Sequence, residues 1–106
     1  MTGLSEVGLL ALSGALVAVG LFGVLTRRNF ILLLVAIEIA MNAAILNFVY
    51  FAAFAPTSAS GLAGQSTAVV LVGFAATEVA VGLAIVLALN RAKGTINVAE
   101  ATELKL

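Results

Sequence analysis

The sequence predicts an all-α membrane protein with three transmembrane helices. Of its 106 residues, 63% are hydrophobic and only 9% are charged, whereas soluble domains carry about 25% charged residues. A soluble fold of this length could not bury so much apolar surface, so we expect lipid to be the surrounding solvent. Three apolar runs each exceed the ~20 residues that a helix needs to cross a bilayer. None alternates with the period of two that is typical of barrel strands, which favours helices.

Short polar segments separate the three runs within what we expect to be one membrane domain. We predict helices at about residues 4–26, 29–55 and 65–90. The stretch "APTSASGLAG" between the second and third helices is rich in turn formers, which predicts a loop. Residues 91–106 are predicted to form a cytoplasmic tail.

Local signals support these boundaries. Asn29 is a favourable N-cap for the second helix. Pro56 stops that helix because it lacks a backbone N–H and clashes with the preceding turn. Gly94 suits the end of the third helix, where a left-handed backbone conformation is common.

The basic residues predict the direction of insertion. Arg27 and Arg28 lie between the first and second helices, and Arg91 and Lys93 follow the third. With three spans these positions lie on one side of the membrane, whereas the "APTSASGLAG" loop on the other side carries no charge. Cytoplasmic flanks carry an excess of lysine and arginine, so we expect an external N-terminus and a cytoplasmic C-terminus. The expected location is the cell membrane.

Composition also excludes several kinds of site. The formal net charge is zero, so no basic surplus is available to bind nucleic acid. The chain has no cysteine and no histidine, which excludes thiolate iron–sulfur ligation, zinc–thiolate sites and histidine-ligated haem. We therefore expect no metal, cofactor or catalytic residue in this chain alone, and any proton chemistry falls to carboxylates.

Small residues recur at a spacing of four, which permits close helix packing. In the second and third helices they are Ala36, Ala40, Ala44, Ala76, Ala80, Ala84 and Ala88, and Gly14 precedes Ala18 in the first. Abundant alanine alone would also produce such spacings. Three thin helices have little core of their own, so we expect other membrane subunits or further copies to complete the bundle.

Two glutamates interrupt the second and third apolar runs. Glu38 lies nine residues after Asn29, about 13 Å into the membrane at 1.5 Å per residue. Glu78 lies twelve residues before Asn90, about 18 Å from the same side. Both positions fall near the middle of a hydrocarbon layer about 30 Å thick.

A carboxylate at that depth needs a reason, because a charged side chain there costs roughly 3 kcal/mol on insertion scales. No lysine or arginine of this chain lies at a matching depth. One such residue could be a protonated acid that hydrogen-bonds two helices together. Two on neighbouring helices favour a relay of carboxyls that accept and release protons.

Three further residues are candidates for support of this site. Asn42 lies one turn after Glu38 on the same helix face, where it could hold the carboxyl or a water, or simply join two helices. Arg27 and Arg28 have a role in orientation, and they could also meet acidic groups of a neighbouring subunit.

These residues resemble a known family. The segments "GLFGVLTRRN", "AIEIAMNAAILNF", the "GQ" before the third helix and "EVAVGLAIVLALNRAKGTINV" are similar to the K subunit of respiratory complex I. This is the small three-helix membrane subunit of proton-pumping NADH:quinone oxidoreductases and their archaeal relatives. The similarity extends over most of the chain.

The resemblance implies specific roles. Glu38 and Glu78 match the family's membrane glutamates of the second and third helices, which belong to its proton-translocation path, and Arg27 and Arg28 match its basic cytoplasmic loop. Flavin, iron–sulfur clusters and quinone chemistry are expected in other subunits. The implied partners are the quinone-proximal and antiporter-like membrane subunits, which this chain would link, together with membrane lipid.

Other membrane classes fit the sequence less well. The alternative is the small C-type subunit of a multisubunit cation/proton antiporter, which has the same three-helix plan but generally lacks these glutamates. Small multidrug transporters have four helices with the key glutamate in the first, and ring subunits of rotary ATPases are two-helix hairpins. A purely structural assembly subunit would not explain two costly acids.

Overall fold

Three long helices and one short one make up the fold. The computed structural model describes residues 3–101, apart from the side chain of Leu4. The helices are α1 (Gly3–Thr26), α2 (Phe30–Ala53), α3 (Ser58–Lys93) and α4 (Val98–Ala101). The first three are long and apolar enough to cross a membrane, which confirms the predicted all-α membrane fold.

The second helix is the centre of the bundle, with α1 packed on one side and α3 on the other. At the α1–α2 contact, Gly20 and Gly23 lie directly against α2. A Cβ added at Gly20 would lie 2.7 Å from the Cβ of Ala40 and 2.8 Å from the carbonyl oxygen of Ala36. Glycine is therefore needed at this position, because it lets the two backbones approach more closely than any side chain would allow.

The third helix packs on α2 through small residues, four of which are spaced by seven. Gly61, Ala68 and Ala75 are buried, and Gly82 lies against the side chain of Leu34. A seven-residue repeat keeps one narrow stripe facing a neighbouring helix.

The predicted four-residue alanine stripe of α3 does not pack within this chain. Its members Ala76, Ala80, Ala84 and Ala88 are all exposed. Gly14 has no neighbour within 4 Å of an added Cβ. Of the predicted small-residue positions on α2, Ala36 is buried and Ala40 contacts α1, whereas Ala44 is exposed.

The third helix begins at Ser58, seven residues before the predicted start at residue 65. A capping box explains the difference: Ser60 N donates to Thr57 Oγ1 at 3.1 Å, and Thr57 N donates to Ser60 Oγ at 3.3 Å. These bonds satisfy backbone groups that a helix start leaves free. The 36-residue helix is about 54 Å long at 1.5 Å per residue, so it exceeds the hydrocarbon layer.

The helix ends at the basic side follow the predicted signals. Asn29 Oδ1 accepts from Ile31 N at 2.9 Å and from Leu32 N at 3.4 Å, as expected of an N-cap. Gly94 ends α3 with φ of 69°, a left-handed conformation that glycine adopts without steric cost.

The residues after α3 fold back onto the loop between α1 and α2. Phe30 N donates to Ile96 O at 3.0 Å, and Val98 N donates to Arg28 O at 2.7 Å. Asn29 and Asn97 thereby form an antiparallel bridge. We call residues 95–98 the return segment. Residues 102–106 of the predicted tail lie outside the described residues.

Candidate functional site

Glu38 lies on the side of α2 that faces α3. Its side chain is half-buried and lines a cavity of about 340 Å³ between the two helices. The other lining residues are Ile31, Leu34, Val35, Ile39, Val79 and Leu83. Glu38 is the one residue with a polar side chain among the described residues that line this space, and the apolar part of its side chain forms the lining.

The cavity exists because the two helices meet unevenly. Leu34 packs toward Gly82, where an added Cβ would lie 2.5 Å from Leu34 Cδ2. One turn after Leu34, Glu38 faces Val79 and Leu83 across open space. The absent side chain at Gly82 accommodates Leu34.

Glu78 lies at the edge of the same α2–α3 contact. Ala75 and Gly82, one turn before and one turn after it, face α2, but the Glu78 side chain is exposed at the surface of the bundle. It does not line the cavity that holds Glu38. The structure thus brings both glutamates to one helix contact, with Glu38 inside it and Glu78 beside it.

Neither carboxylate has an ion pair or a hydrogen bond to another residue between positions 3 and 101. Asn42 lies one turn after Glu38 as predicted, but its side chain is exposed and makes no hydrogen bond to Glu38. Partners for these groups must therefore be water, or must come from outside the described part of the chain.

The predicted basic residues lie at one end of the bundle. Arg27 and Arg28 are exposed in the turn between α1 and α2. The return segment pairs with this turn, so the end of α3, with Arg91 and Lys93, lies at the same end. Arg27 and Arg28 are more than one helix turn from Glu38 and do not contact its cavity.

A polar contact between α1 and α2 was missed by the sequence reasoning. Asn47 Nδ2 donates to Ser13 Oγ at 3.2 Å, and Ser13 is only 6% exposed. The Asn47 Oδ1 atom is buried and has no hydrogen-bond partner among the described residues. Asn47 lies on the face of α2 opposite Glu38. The sequence did contain a signal for this contact, because Ser13 and Asn47 are polar residues within the apolar runs of two adjacent helices.

The surroundings of Glu38 permit proton exchange. Across residues 3–101, no group of three or more His, Cys, Asp or Glu side chains could hold a metal ion. A half-buried carboxyl beside an apolar cavity large enough for water can bind and release a proton when water reaches it.

Comparison with known proteins decides the family. The model for the family described as NADH-ubiquinone/plastoquinone oxidoreductase chain 4L matches residues 8–106. The chain belongs to this family. The matched range spans Glu38, Glu78 and the turn between α1 and α2.

Individual relatives of the chain 4L family agree over nearly the whole length. The chain is 43% identical over 99 residues to NADH-quinone oxidoreductase subunit K of Desulfitobacterium hafniense. The aligned region covers 91% of this chain and 90% of the relative. It is 44% identical over 96 residues to the subunit K of Deinococcus radiodurans, with 91% and 89% covered. The subunit K of Bacillus cytotoxicus is 44% identical over 98 residues, with 91% and 90% covered. This chain 4L family member is a multi-pass protein of the cell membrane.

Proposed function

We propose that this chain is the K subunit of a proton-pumping NADH–quinone oxidoreductase or of a closely related quinone reductase, and that Glu38 carries protons within it. The observation that carries the proposal is the position of Glu38, near mid-membrane on the central helix, in an otherwise apolar cavity. The family match and the names of the relatives support the assignment to the oxidoreductase.

Glu78 supports the same path. It lies on the partner helix at the edge of the contact that contains Glu38. Its exposure at the surface of the isolated bundle means that it faces lipid or another protein, and an ionised carboxylate in lipid is costly. We infer that a neighbouring subunit covers it, so that Glu78 connects the Glu38 cavity to that subunit.

The chain itself performs no redox chemistry in this proposal. It supplies one part of a proton path and connects the quinone-proximal and antiporter-like membrane subunits. The flavin, iron–sulfur and quinone chemistry belongs to other subunits of the complex. Its N-terminus is external and its C-terminus cytoplasmic, in keeping with the basic residues at one end. The match to chain 4L favours this assignment over the C-type subunit of a cation/proton antiporter.

The test replaces Glu38 by glutamine in the assembled complex. Gln keeps the size and hydrogen-bonding capacity of the side chain but cannot exchange a proton. We expect proton pumping and the coupled quinone reductase rate to fall at least about tenfold, as is typical when a positioned acid–base group is lost. Glu78→Gln is expected to cause a smaller fall.

Glu100→Gln is the matched control, because Glu100 is exposed in α4, outside the membrane helices. It should leave both rates unchanged. Undiminished pumping in Glu38→Gln would contradict the proposal. Failure of Glu38→Gln to assemble, with Glu38→Ala assembling and pumping normally, would favour a structural role and contradict proton transfer.

A further inference from the structure

The basic end of the bundle contains a polar pocket that the proton path does not use. Its volume is about 450 Å³. The polar residues that line it are Thr26, Arg27, Arg28, Asn29, Thr95 and Asn97. The pocket is formed by the return segment on one side and by the turn between α1 and α2 on the other.

The pocket has an excess of positive charge. Two guanidinium groups line it, and no acidic residue does so among the described residues. Neither arginine forms an ion pair within residues 3–101. Adjacent arginines with free N–H groups form strong, charge-assisted hydrogen bonds to phosphate oxygens.

An apolar groove continues from this pocket along the outside of the α1–α2 contact. Its volume is about 300 Å³. Arg27 and Leu32 line both the groove and the polar pocket. The remaining groove residues are Val19, Phe22, Gly23, Val35, Ala36 and Ile39. The groove runs from the end of the helices toward their middle, because Val19 and Ile39 lie two turns or more from the arginines.

The polar pocket and the apolar groove together match the chemistry of one amphipathic ligand. The phosphate of a lipid headgroup fits between two arginines at the membrane surface, and an acyl chain fits an apolar groove that enters the hydrocarbon layer. Arg27 is suited to join them, because its methylene chain can lie along apolar surface while its guanidinium stays at the interface.

We propose that this pocket and groove bind one anionic phospholipid. The return segment completes the headgroup pocket, since it contributes Thr95 and Asn97 and is held there by the backbone bonds to Arg28 and Phe30. The bound lipid would seal the outer side of the α1–α2 contact. The proposal depends on this surface alone and not on the proton path.

Tryptophan fluorescence can test this binding, because the chain contains no tryptophan. The full chain carrying Phe22→Trp, which places the reporter in the groove, is reconstituted in phosphatidylcholine vesicles. Brominated phosphatidylglycerol or brominated phosphatidylcholine is then added at increasing mole fraction. We expect half-maximal quenching at a mole fraction roughly thirtyfold lower for the anionic lipid, because each of the two arginines favours it about fivefold. Equal quenching by the two lipids would overturn the proposal.

A second reporter checks that the preference belongs to the groove. Ile85→Trp places tryptophan on an exposed position of α3, away from the groove but at a similar depth, since Ile85 is five residues before Asn90 and Phe22 is five residues before Arg27. It should be quenched equally by both lipids. An equal preference for the anionic lipid at this position would show a general surface effect and contradict a defined site.

Charge variants in the Phe22→Trp background separate a site from net charge. Arg27→Gln with Arg28→Gln should abolish the preference, whereas Arg91→Gln with Lys93→Gln removes two charges at the same end and should preserve it. Arg27→Lys with Arg28→Lys should keep most of it, and this pair retains the charges in case the glutamine pair misfolds. Equal loss in the two glutamine pairs would overturn the proposal. Displacement of the brominated phosphatidylglycerol would also overturn the proposal if inorganic phosphate displaced more of it than sodium chloride of equal ionic strength, since the site would then bind a free anion.

Discussion

The two faces of α2 differ in how closely they pack against the neighbouring helices. The face toward α1 is tightly packed: glycines admit the backbone, Ala43 is 1% exposed, and the Ser13–Asn47 pair makes an interhelical hydrogen bond. The face toward α3 is closely packed where Gly64 lies against Ala52, but it leaves a cavity beside Glu38, whose carboxylate has no described partner. One helix thus combines a contact that fixes the bundle with a contact that keeps space for a titratable group.

The packed face should be the more sensitive to added volume. Gly20→Ala would place a methyl group 2.7 Å from Ala40 Cβ and 2.8 Å from the Ala36 carbonyl oxygen. Backbone atoms cannot move aside as a side chain can, so we expect a loss of about 1–3 kcal/mol in the free energy of unfolding. Denaturation of the full chain by sodium dodecyl sulfate measures this. Gly14→Ala is the control, because nothing lies within 4 Å of its added Cβ. Equal effects would mean that α1 and α2 do not pack as described.

The hydrogen bond between Ser13 and Asn47 should contribute less to the free energy of unfolding than the close packing at Gly20. A double-mutant cycle with Ser13→Ala and Asn47→Ala isolates the hydrogen bond from other effects of the substitutions. We expect a coupling energy of about 0.6 kcal/mol, the average for interhelical hydrogen bonds in membranes. Unfolding in the same detergent titration measures it. A coupling energy of zero would show that the two side chains do not interact in the membrane.

On the face of α2 toward α3, added volume should reduce the stability of the bundle only slightly but should impair proton pumping. The methyl group of Gly82→Ala would meet the flexible end of Leu34, which can rotate away, so we expect a smaller loss of stability than for Gly20→Ala. Displacement of Leu34 would take space from the Glu38 cavity and lower the pumping rate of the complex. Gly73→Ala has no neighbour within 4 Å and is the control. A stability loss equal to that of Gly20→Ala, with normal pumping, would remove the distinction between the faces.

The sequence predicted the helices better than their contacts. Apolar runs and single capping residues such as Asn29 and Gly94 were enough to locate three spans, because both signals are local. The start of α3 was placed too late, because "TSAS" was read as turn chemistry and not as a capping box on Thr57 and Ser60. The alanine stripe was assigned to packing on its spacing of four, whereas the packed stripe of α3 follows Gly61, Ala68, Ala75 and Gly82 at a spacing of seven.

For the candidate site, too, the sequence predicted the residues better than their surroundings. Glu38 and Glu78 were identifiable from their depth in apolar runs. Their different environments were not, because exposure depends on which side of α3 meets α2. The pairing of Asn97 with Asn29 was also beyond sequence reasoning, since a single antiparallel bridge over such a long separation leaves no periodic signal.

The most direct measurement concerns the protonation of Glu38 itself. Infrared difference spectra of the assembled complex, recorded between resting and turnover states, show the carbonyl stretch of carboxyl groups that gain or lose a proton. We predict a band in the unaltered complex that is missing in Glu38→Gln and present in Glu100→Gln. Identical spectra for the unaltered complex and Glu38→Gln would show that Glu38 keeps one protonation state during turnover and would contradict its role in proton transfer.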